Sequence, residues 1–315
     1  MTTTTATTTN RATKRDFLTL TDLTLAEHDR LYARAVELKA ERRAGRVHTT
    51  LAGKTLACVF EKASTRTRLS FEAAIMQLGG HSIVLDAAGS QLGRGEPVAD
   101  TARVTSSYVD VIMFRTFGDD RLAAFAAASR VPVINGLSDG GHPVQLLADL
   151  MTVRERLGPL TGRVVAWVGD GASNMARSWI EAALLFGFEL RIAAPVGFRP
   201  LPKEVHAMRA HVHLASSPEG AVTGADVVNT DVWVSMGQEP ETAGRHGAFA
   251  GYCVDRALLA HAQPGALVLH CLPAHRGEEI AAEVIDDPVL GAAIFEQAEN
   301  RMHVQKALLE LLLVS

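Results

Sequence analysis

The sequence predicts an α/β chain of two doubly wound domains, each with a mostly parallel sheet flanked by helices. Apolar runs of strand length alternate with stretches of helical period through most of the 315 residues. That alternation is the grammar of βα units whose strands are covered on both faces. It restarts after Gly158-Pro159, and the length favours two domains over one. Short polar clusters fall at the C-terminal ends of the strands, where open parallel sheets bind ligands.

In chain order, residues 1–15 (MTTTTATTTNRATKR) are Thr-rich and slightly basic. They cannot bury a core, so a disordered tail is expected. The tail lacks acids, as a transit peptide does, but it is short and has no clear apolar face. Thr24-Leu-Ala-Glu27 is a capping box opening a helix that runs through Leu31, Ala35 and Leu38 toward Arg43. Strands are predicted at 55–60, 81–86, 109–114 and 131–134, with helices near 65–78, 97–107 and 120–129. A long helix, 142–157, is closed by Gly158-Pro159, and the boundary between a first domain (16–150) and a second (151–287) falls near its end. The second series has strands near 163–169, 188–193, 226–230 and 266–271, and a helical tail, about 288–313, carries Asn300-Arg301.

Composition narrows the function. A net charge of −4 gives no field for non-specific nucleic-acid binding. No apolar run approaches the roughly 18–20 residues of a membrane span, and no signal-peptide core stands near the start. Cys58, Cys253 and Cys271 lack CxxC spacing, which argues against a disulfide framework or a zinc site and fits a reducing cytoplasm. With aromatics at 5%, the core must rest on Leu, Val, Ile and Ala.

Five clusters can carry chemistry. Ser64-Thr65-Arg66-Thr67-Arg68 stands between a predicted strand and a helix. The free N–H groups and dipole of a helix start favour an anion there, with hydroxyl donors from Ser64, Thr65 and Thr67 and a planar fork from Arg66. Arg115 follows an apolar strand; His142 and Gln145 share the first turn of the long helix, with Pro143 at its first position. Asp231 ends a strand and can hold an ammonium group, and Ser235-Met236-Gly237 after it has the look of a hinged flap. His270-Cys271-Leu272-Pro273 ends the last strand. Taken alone, each has a plainer reading, such as a helix cap, a surface charge or a core cysteine. Together, two helix starts and two arginines at one strand-end crevice imply a small, strongly anionic, oxygen-rich ligand. Val168-Gly169-Asp170-Gly171-Ala172-Ser173-Asn174 imitates a dinucleotide turn, but Asn174 replaces the third glycine and Ala194-Pro195 replaces the ribose-binding acid. A polar turn presenting Asn174 is the better reading than NAD binding.

Ser-Thr-Arg-Thr-Arg (64–68), Phe-Arg-Thr (114–116), His-Pro-Val-Gln (142–145), Asp231 with Ser235-Met236-Gly237, and His-Cys-Leu-Pro (270–273) resemble the aspartate/ornithine carbamoyltransferases, and the last two resemble the ornithine branch. The resemblance runs from about residue 16 to the C-terminus. It implies a C-terminal helix that returns to the first domain, no metal or organic cofactor, and a homotrimer or assembly of trimers; arginine biosynthesis in the cytoplasm is the expected setting, with a catabolic role left open. It implies that Ser64, Thr65, Arg66 and Thr67 hold the phosphate of carbamoyl phosphate, that Arg115, His142 and Gln145 reach its carbamoyl end, and that Arg301 adds charge. Gln91 matches a loop glutamine that serves a neighbouring subunit. Asn174 and the Met236 backbone take the carboxylate of L-ornithine, and Asp231 and Ser235 its α-amino group. Cys271 and the Leu272 carbonyl sit where the δ-amine meets the carbamoyl carbon, and Pro273 follows a cis bond. Arg66, Arg115, His142 and Cys271 are thereby the expected catalytic residues.

Ser173, Gly140-Gly141 and the Thr-rich tail depart from the family pattern, and the glycines are expected to loosen the His142 turn. The implied reaction gives citrulline and phosphate by attack of the neutral δ-amine, so rate should rise with pH as the amine, aided by Cys271, loses its proton. Other acceptors, putrescine or an acylated ornithine, remain open; Asp231 and Asn174 argue for a zwitterionic amino acid. A non-catalytic anion-binding relative would not need both half-sites.

Overall fold

β1, Thr55–Phe60, is the strand around which the first sheet forms: all but its first residue are buried. It pairs in parallel with β2 (His81–Asp86) on one side and β3 (Val111–Arg115) on the other, and β4 (Val133–Leu137) completes the order β2-β1-β3-β4. The structure is a computed structural model that describes residues 14–200, 210–234 and 242–314. Of the tail 1–15, residues 1–13 lie outside the described residues.

The second sheet is also parallel, ordered β7-β6-β5-β8-β9: β5 (Val164–Val168), β6 (Glu189–Ala193), β7 (Val212–Leu214), β8 (Val227–Thr230) and β9 (Leu267–His270). In each sheet the chain winds outward to one side and then returns to the other. The switch points therefore fall between β1 and β3 and between β5 and β8, and crevices open above the strand ends at such points.

Helices cover the sheets: α1 (Leu25–Arg43), α2 (Thr65–Gln77), α3 (Val98–Thr105), α4 (Asp119–Ala128), α5 (Pro143–Leu157) and α6 (Asn174–Phe186). The Thr24–Glu27 capping box that opens α1 is formed in full. The C-terminal helix, Ala292–Val314, packs on α1, α2 and α5 and also touches β9. One buried apolar cluster joins Leu56 and Phe71 of the first domain, Trp167 and Trp179 of the second, and Leu308 of that last helix. No described helix is long and apolar enough to cross a membrane.

Differences from expectation are local. β3 and β4 each begin two residues late: before β3 the Asp110 carboxylate accepts the Thr55 N–H at 2.8 Å, and Val133, at the start of β4, donates its N–H to Asp16 Oδ1 at 2.8 Å. β4 runs on to Leu137 through Asn135 and Gly136, a polar stretch that the apolar reading stopped short of. A Cβ at Gly136 would lie 2.2 Å from Met113 Sδ, so glycine lets β4 close on β3. β7 was not anticipated: its three residues are one buried and two exposed. α5 passes unbroken through residue 150, ending only at Gly158, which adopts φ 81°.

Candidate active site

Ser64 is the N-cap of α2, its hydroxyl accepting the Thr67 N–H at 3.3 Å. The N-cap bond turns the first residues of α2 toward the mouth of the β1/β3 crevice, leaving Arg66 half-buried and Thr67 buried. Arg115, last residue of β3, reaches Thr67 Oγ1 with Nη1 at 3.3 Å. Arg301, from the C-terminal helix, reaches the same oxygen with Nη2 at 3.0 Å and gives Nη1 to Gln145 Oε1. Two guanidinium groups thus crowd one hydroxyl. Burial and the neighbouring arginines pull both Arg115 and Arg301 down to about 10; both stay charged at neutral pH, at a cost that an anionic ligand would relieve.

His142 is the N-cap of α5, which starts on Pro143 as predicted. Its backbone N–H donates to Ser178 Oγ of α6 at 2.8 Å, so this turn is pinned to the second domain. Burial, with Arg301, Arg115 and Arg66 nearby, holds the imidazole well below its ordinary value, so the ring is neutral at pH 7. The loop before it is not loosened by Gly140-Gly141. Gly140 N–H donates to Asp119 Oδ1 at 3.0 Å, Ser138 N–H to the Gly141 carbonyl at 3.0 Å, and a Cβ at Gly140 would collide with the Asp119 carboxylate at 2.2 Å.

Across the cleft, Asn174 opens α6 and donates Nδ2 to the Ser138 carbonyl at 3.3 Å. The turn before it is polar rather than dinucleotide-binding: Asp170 Oδ2 accepts from Arg245 Nη1 at 2.8 Å, and the same nitrogen holds the Trp233 carbonyl at 2.9 Å. This bond ties the segment after β8, which carries Asp231, to the end of β5. Cys271 Sγ donates to Asp231 Oδ1 at 3.2 Å. Burial, and then the Asp231 carboxylate, push the thiol well above its ordinary value. At neutral pH Cys271 is therefore a thiol, donating to Asp231. The Leu272–Pro273 peptide is cis, as the resemblance implies, and Leu272 has φ 59°.

These residues line a single cavity of about 620 Å³: Ser64, Thr65, Arg66, Thr67, Arg115, His142, Gln145, Asn174, Asp231, Cys271, Leu272 and Arg301 all face it. Gln91 does not; it is exposed beyond β2. Ser235 and Met236 lie outside the described residues. Lys62, His246, His275 and Glu278 also line the cavity and were missed. Lys62, two residues ahead of the Ser64 cap, was the one with a sequence signal; its amine meets Asp139 at 3.0 Å.

An α/β fold with two switch points facing one cavity, cationic on one wall and carrying the half-buried Asp231 carboxylate on the other, defines a two-substrate site for an anionic donor and an amino-bearing acceptor. Comparison with known proteins narrows the class. The family model described as "Aspartate/ornithine carbamoyltransferase, carbamoyl-P binding domain" matches residues 15–155, and "Aspartate/ornithine carbamoyltransferase, Asp/Orn binding domain" matches 161–312. The chain belongs to the aspartate/ornithine carbamoyltransferase family. It is 54% identical over 300 residues to the ornithine carbamoyltransferase of Halorhodospira halophila, covering 95% of this chain and 99% of that one. It is 53% identical over 303 residues to that of Pelobacter propionicus, covering 95% and 98%. Among solved structures, the ornithine carbamoyltransferase of Burkholderia thailandensis matches at a TM-score of 0.87 and 46% identity, covering 95% of this chain and 99% of that one. The enzyme from Pyrococcus furiosus matches at 0.89 and 44%, covering 96% and 98%.

Proposed function

We propose that this chain transfers the carbamoyl group of carbamoyl phosphate to the δ-amine of L-ornithine, giving L-citrulline and phosphate. The observation that carries the reading is the single cavity into which both half-sites open. Ser64, Thr65, Arg66, Thr67 and Arg301 hold the phosphate, with a helix start behind it. Arg115, His142 and Gln145 surround the carbamoyl group. As the neutral amine attacks, charge builds on the carbonyl oxygen and the leaving phosphate. Donors fixed in advance at those atoms favour the transition state over the ground state. The neutral His142 ring donates without adding a fourth positive charge to the wall.

Asn174 and the Met236 backbone take the ornithine carboxylate, and Asp231 with Ser235 its α-amino group. Cys271 and the Leu272 carbonyl guide the δ-amine toward the carbon. Proximity of the two substrates supplies much of the acceleration, so no covalent intermediate is required.

The reading extends to a cytoplasmic trimer, or an assembly of trimers, in arginine biosynthesis. Leu69 and Met76 on α2 and Ile83 on the edge strand β2 are exposed at 61%, 64% and 46%, an apolar surface that a neighbouring subunit can cover. Gln91, exposed beyond the same strand, then reaches the neighbour's cavity rather than its own.

Parallel assays with ornithine, putrescine and N-acetylornithine test the acceptor. Citrulline formation with ornithine far exceeding turnover of the other two is expected; preference for putrescine would overturn the assignment of Asn174.

A further inference from the structure

Asp149 lies one turn beyond Gln145 on α5, is fully buried, and does not line the 620 Å³ cavity. Its Oδ1 accepts from Gln145 Nε2 at 2.7 Å and from Gln297 Nε2 of the C-terminal helix at 2.5 Å. Each bond has a consequence one step further on. With its nitrogen committed to Asp149, the Gln145 amide turns its oxygen to Arg301. An amide can face either way; the partner on one end fixes the other. With its nitrogen committed likewise, Gln297 turns Oε1 to the His270 N–H at 3.2 Å. His270 in turn shapes the Cys271-Leu272 turn: its Nδ1 accepts the Leu272 N–H at 2.8 Å and its Nε2 meets Glu279 at 3.0 Å. One carboxylate oxygen therefore stands between the carbamoyl side of the cavity and the strand end that carries Cys271.

We infer that Asp149 is a positioning residue for carbamoyl transfer, fixing the Gln145 amide oxygen toward Arg301 and the cavity and, through Gln297, holding the Cys271 turn in register with it. This inference rests on the proposed function of the cavity. The second oxygen, Oδ2, is buried without a partner. Burial raises the carboxyl to about 7, and Oδ2 is the place for the proton, so Oδ1 accepts both bonds in either charge state. An asparagine can do the same, with its Nδ2 at the Oδ2 position.

The test compares Asp149→Asn and Asp149→Ala in the full-length protein by steady-state kinetics and by calorimetric titration with carbamoyl phosphate. Displacing a group that touches the reacting centre by about an ångström costs on the order of 100-fold in turnover. Asp149→Ala is expected to lose about that much kcat and to bind carbamoyl phosphate at least roughly tenfold more weakly. Asp149→Asn is expected to recover most of both. Gln297→Met, close in shape, cuts only the arm to β9: kcat should fall while carbamoyl phosphate affinity holds, which keeps the inference testable where Asp149→Ala does not fold. Asp149→Ala that melts lower yet keeps kcat and affinity within about twofold would reduce the residue to a structural role. Equal losses in Asn and Ala would overturn the acceptor role. A wild-type protein that binds carbamoyl phosphate but makes no citrulline would sink the proposed function alone, and the titration would still decide for or against Asp149.

Discussion

Replacing Arg301 by methionine separates what the residue does for the fold from what it does for the reaction. The residue is 3% exposed, and its guanidinium is pulled down to about 10 by burial, partly offset by Cys271 and Asp149, with Arg66 pulling it further down. Below pH 10 it is charged in both the folded and unfolded chain. The depressed value is then a penalty on folding of roughly 3 kcal/mol, at 1.36 kcal/mol per pKa unit. Methionine removes that penalty. It also removes the bonds to Gln145 Oε1 and Thr67 Oγ1, where losing a charged donor costs about 1.5–3 kcal/mol. The two effects are of similar size and opposite sign, so the ligand-free protein should melt within a few degrees of wild type. The reaction has no such compensation, because the charge faces a phosphoryl group only when substrate is bound. Losing one preorganised donor costs about 100- to 1,000-fold in kcat, and kcat/KM for carbamoyl phosphate should fall at least as far. Scanning calorimetry with and without inorganic phosphate, beside steady-state citrulline assays, gives both numbers. Phosphate should raise the melting temperature of wild type and leave Arg301→Met unmoved. A variant that melts far lower yet retains kcat/KM within about tenfold would refute the reasoning.

The remaining predictions concern protons and the assembly. Since the Cys271 thiol is pushed up and stays protonated, the rise of kcat/KM for ornithine with pH belongs to the substrate amine. It should be about tenfold per unit below the amine's pKa, with the same slope in Cys271→Ser; a flattened slope there would show that the thiol takes part in removing the proton. Because His142 is held well below its ordinary value, kcat/KM for carbamoyl phosphate should show no inflection near pH 6.5, and one that vanishes in His142→Asn would contradict the neutral ring. Asp149 titrates higher folded than unfolded, so its contribution to stability is present at low pH and lost as pH rises from about 4 toward 7. The melting temperature of Asp149→Asn relative to wild type should accordingly be higher at pH 8 than at pH 5. Leu69→Glu with Met76→Glu should give smaller particles on sizing and little citrulline if the α2 surface is an interface; an active assembly of unchanged size would remove that proposal.

Legibility in the sequence followed how local each constraint is. The Ser64 cap, the Thr24 box and the Pro143 start are written within four residues, and each forms as read. Arg301 is different. Nothing in a helix ending Ala-Leu-Leu-Glu-Leu-Leu-Leu says which polar residues point inward. Only docking on α1, α2 and α5 buries Gln297, Asn300 and Arg301 together, and the family resemblance, not the pattern, pointed to Arg301. Gln297 and Asp149 carried no signal, since an acid or amide within a helical pattern ordinarily faces solvent. His246 and Glu278 were hidden for the opposite reason. They sit among charged residues at the cavity mouth, 3.7 Å apart, and read in sequence as ordinary surface.

The same contrast explains why the last helix belongs with the first domain. The cationic wall is costly: Thr67, Arg115 and Arg301 are all buried, and the arginines repel one another. Such a wall cannot be built from one local segment, because adjacent charges would fold outward into water. Here α2 supplies Arg66, β3 supplies Arg115 and the C-terminal helix supplies Arg301, each held in place by apolar packing of its own element. The apolar face of the helix carrying Leu308 and Leu309 provides the binding that holds Arg301 against the repulsion. Cavities cut into that face, by Leu308→Ala for instance, should therefore weaken phosphate binding as well as stability, at about 2–5 kcal/mol for a leucine so buried. Equilibrium denaturation and phosphate titration of the same variant would show the two losses together, whereas a loss of stability with unchanged phosphate affinity would uncouple the helix packing from the site.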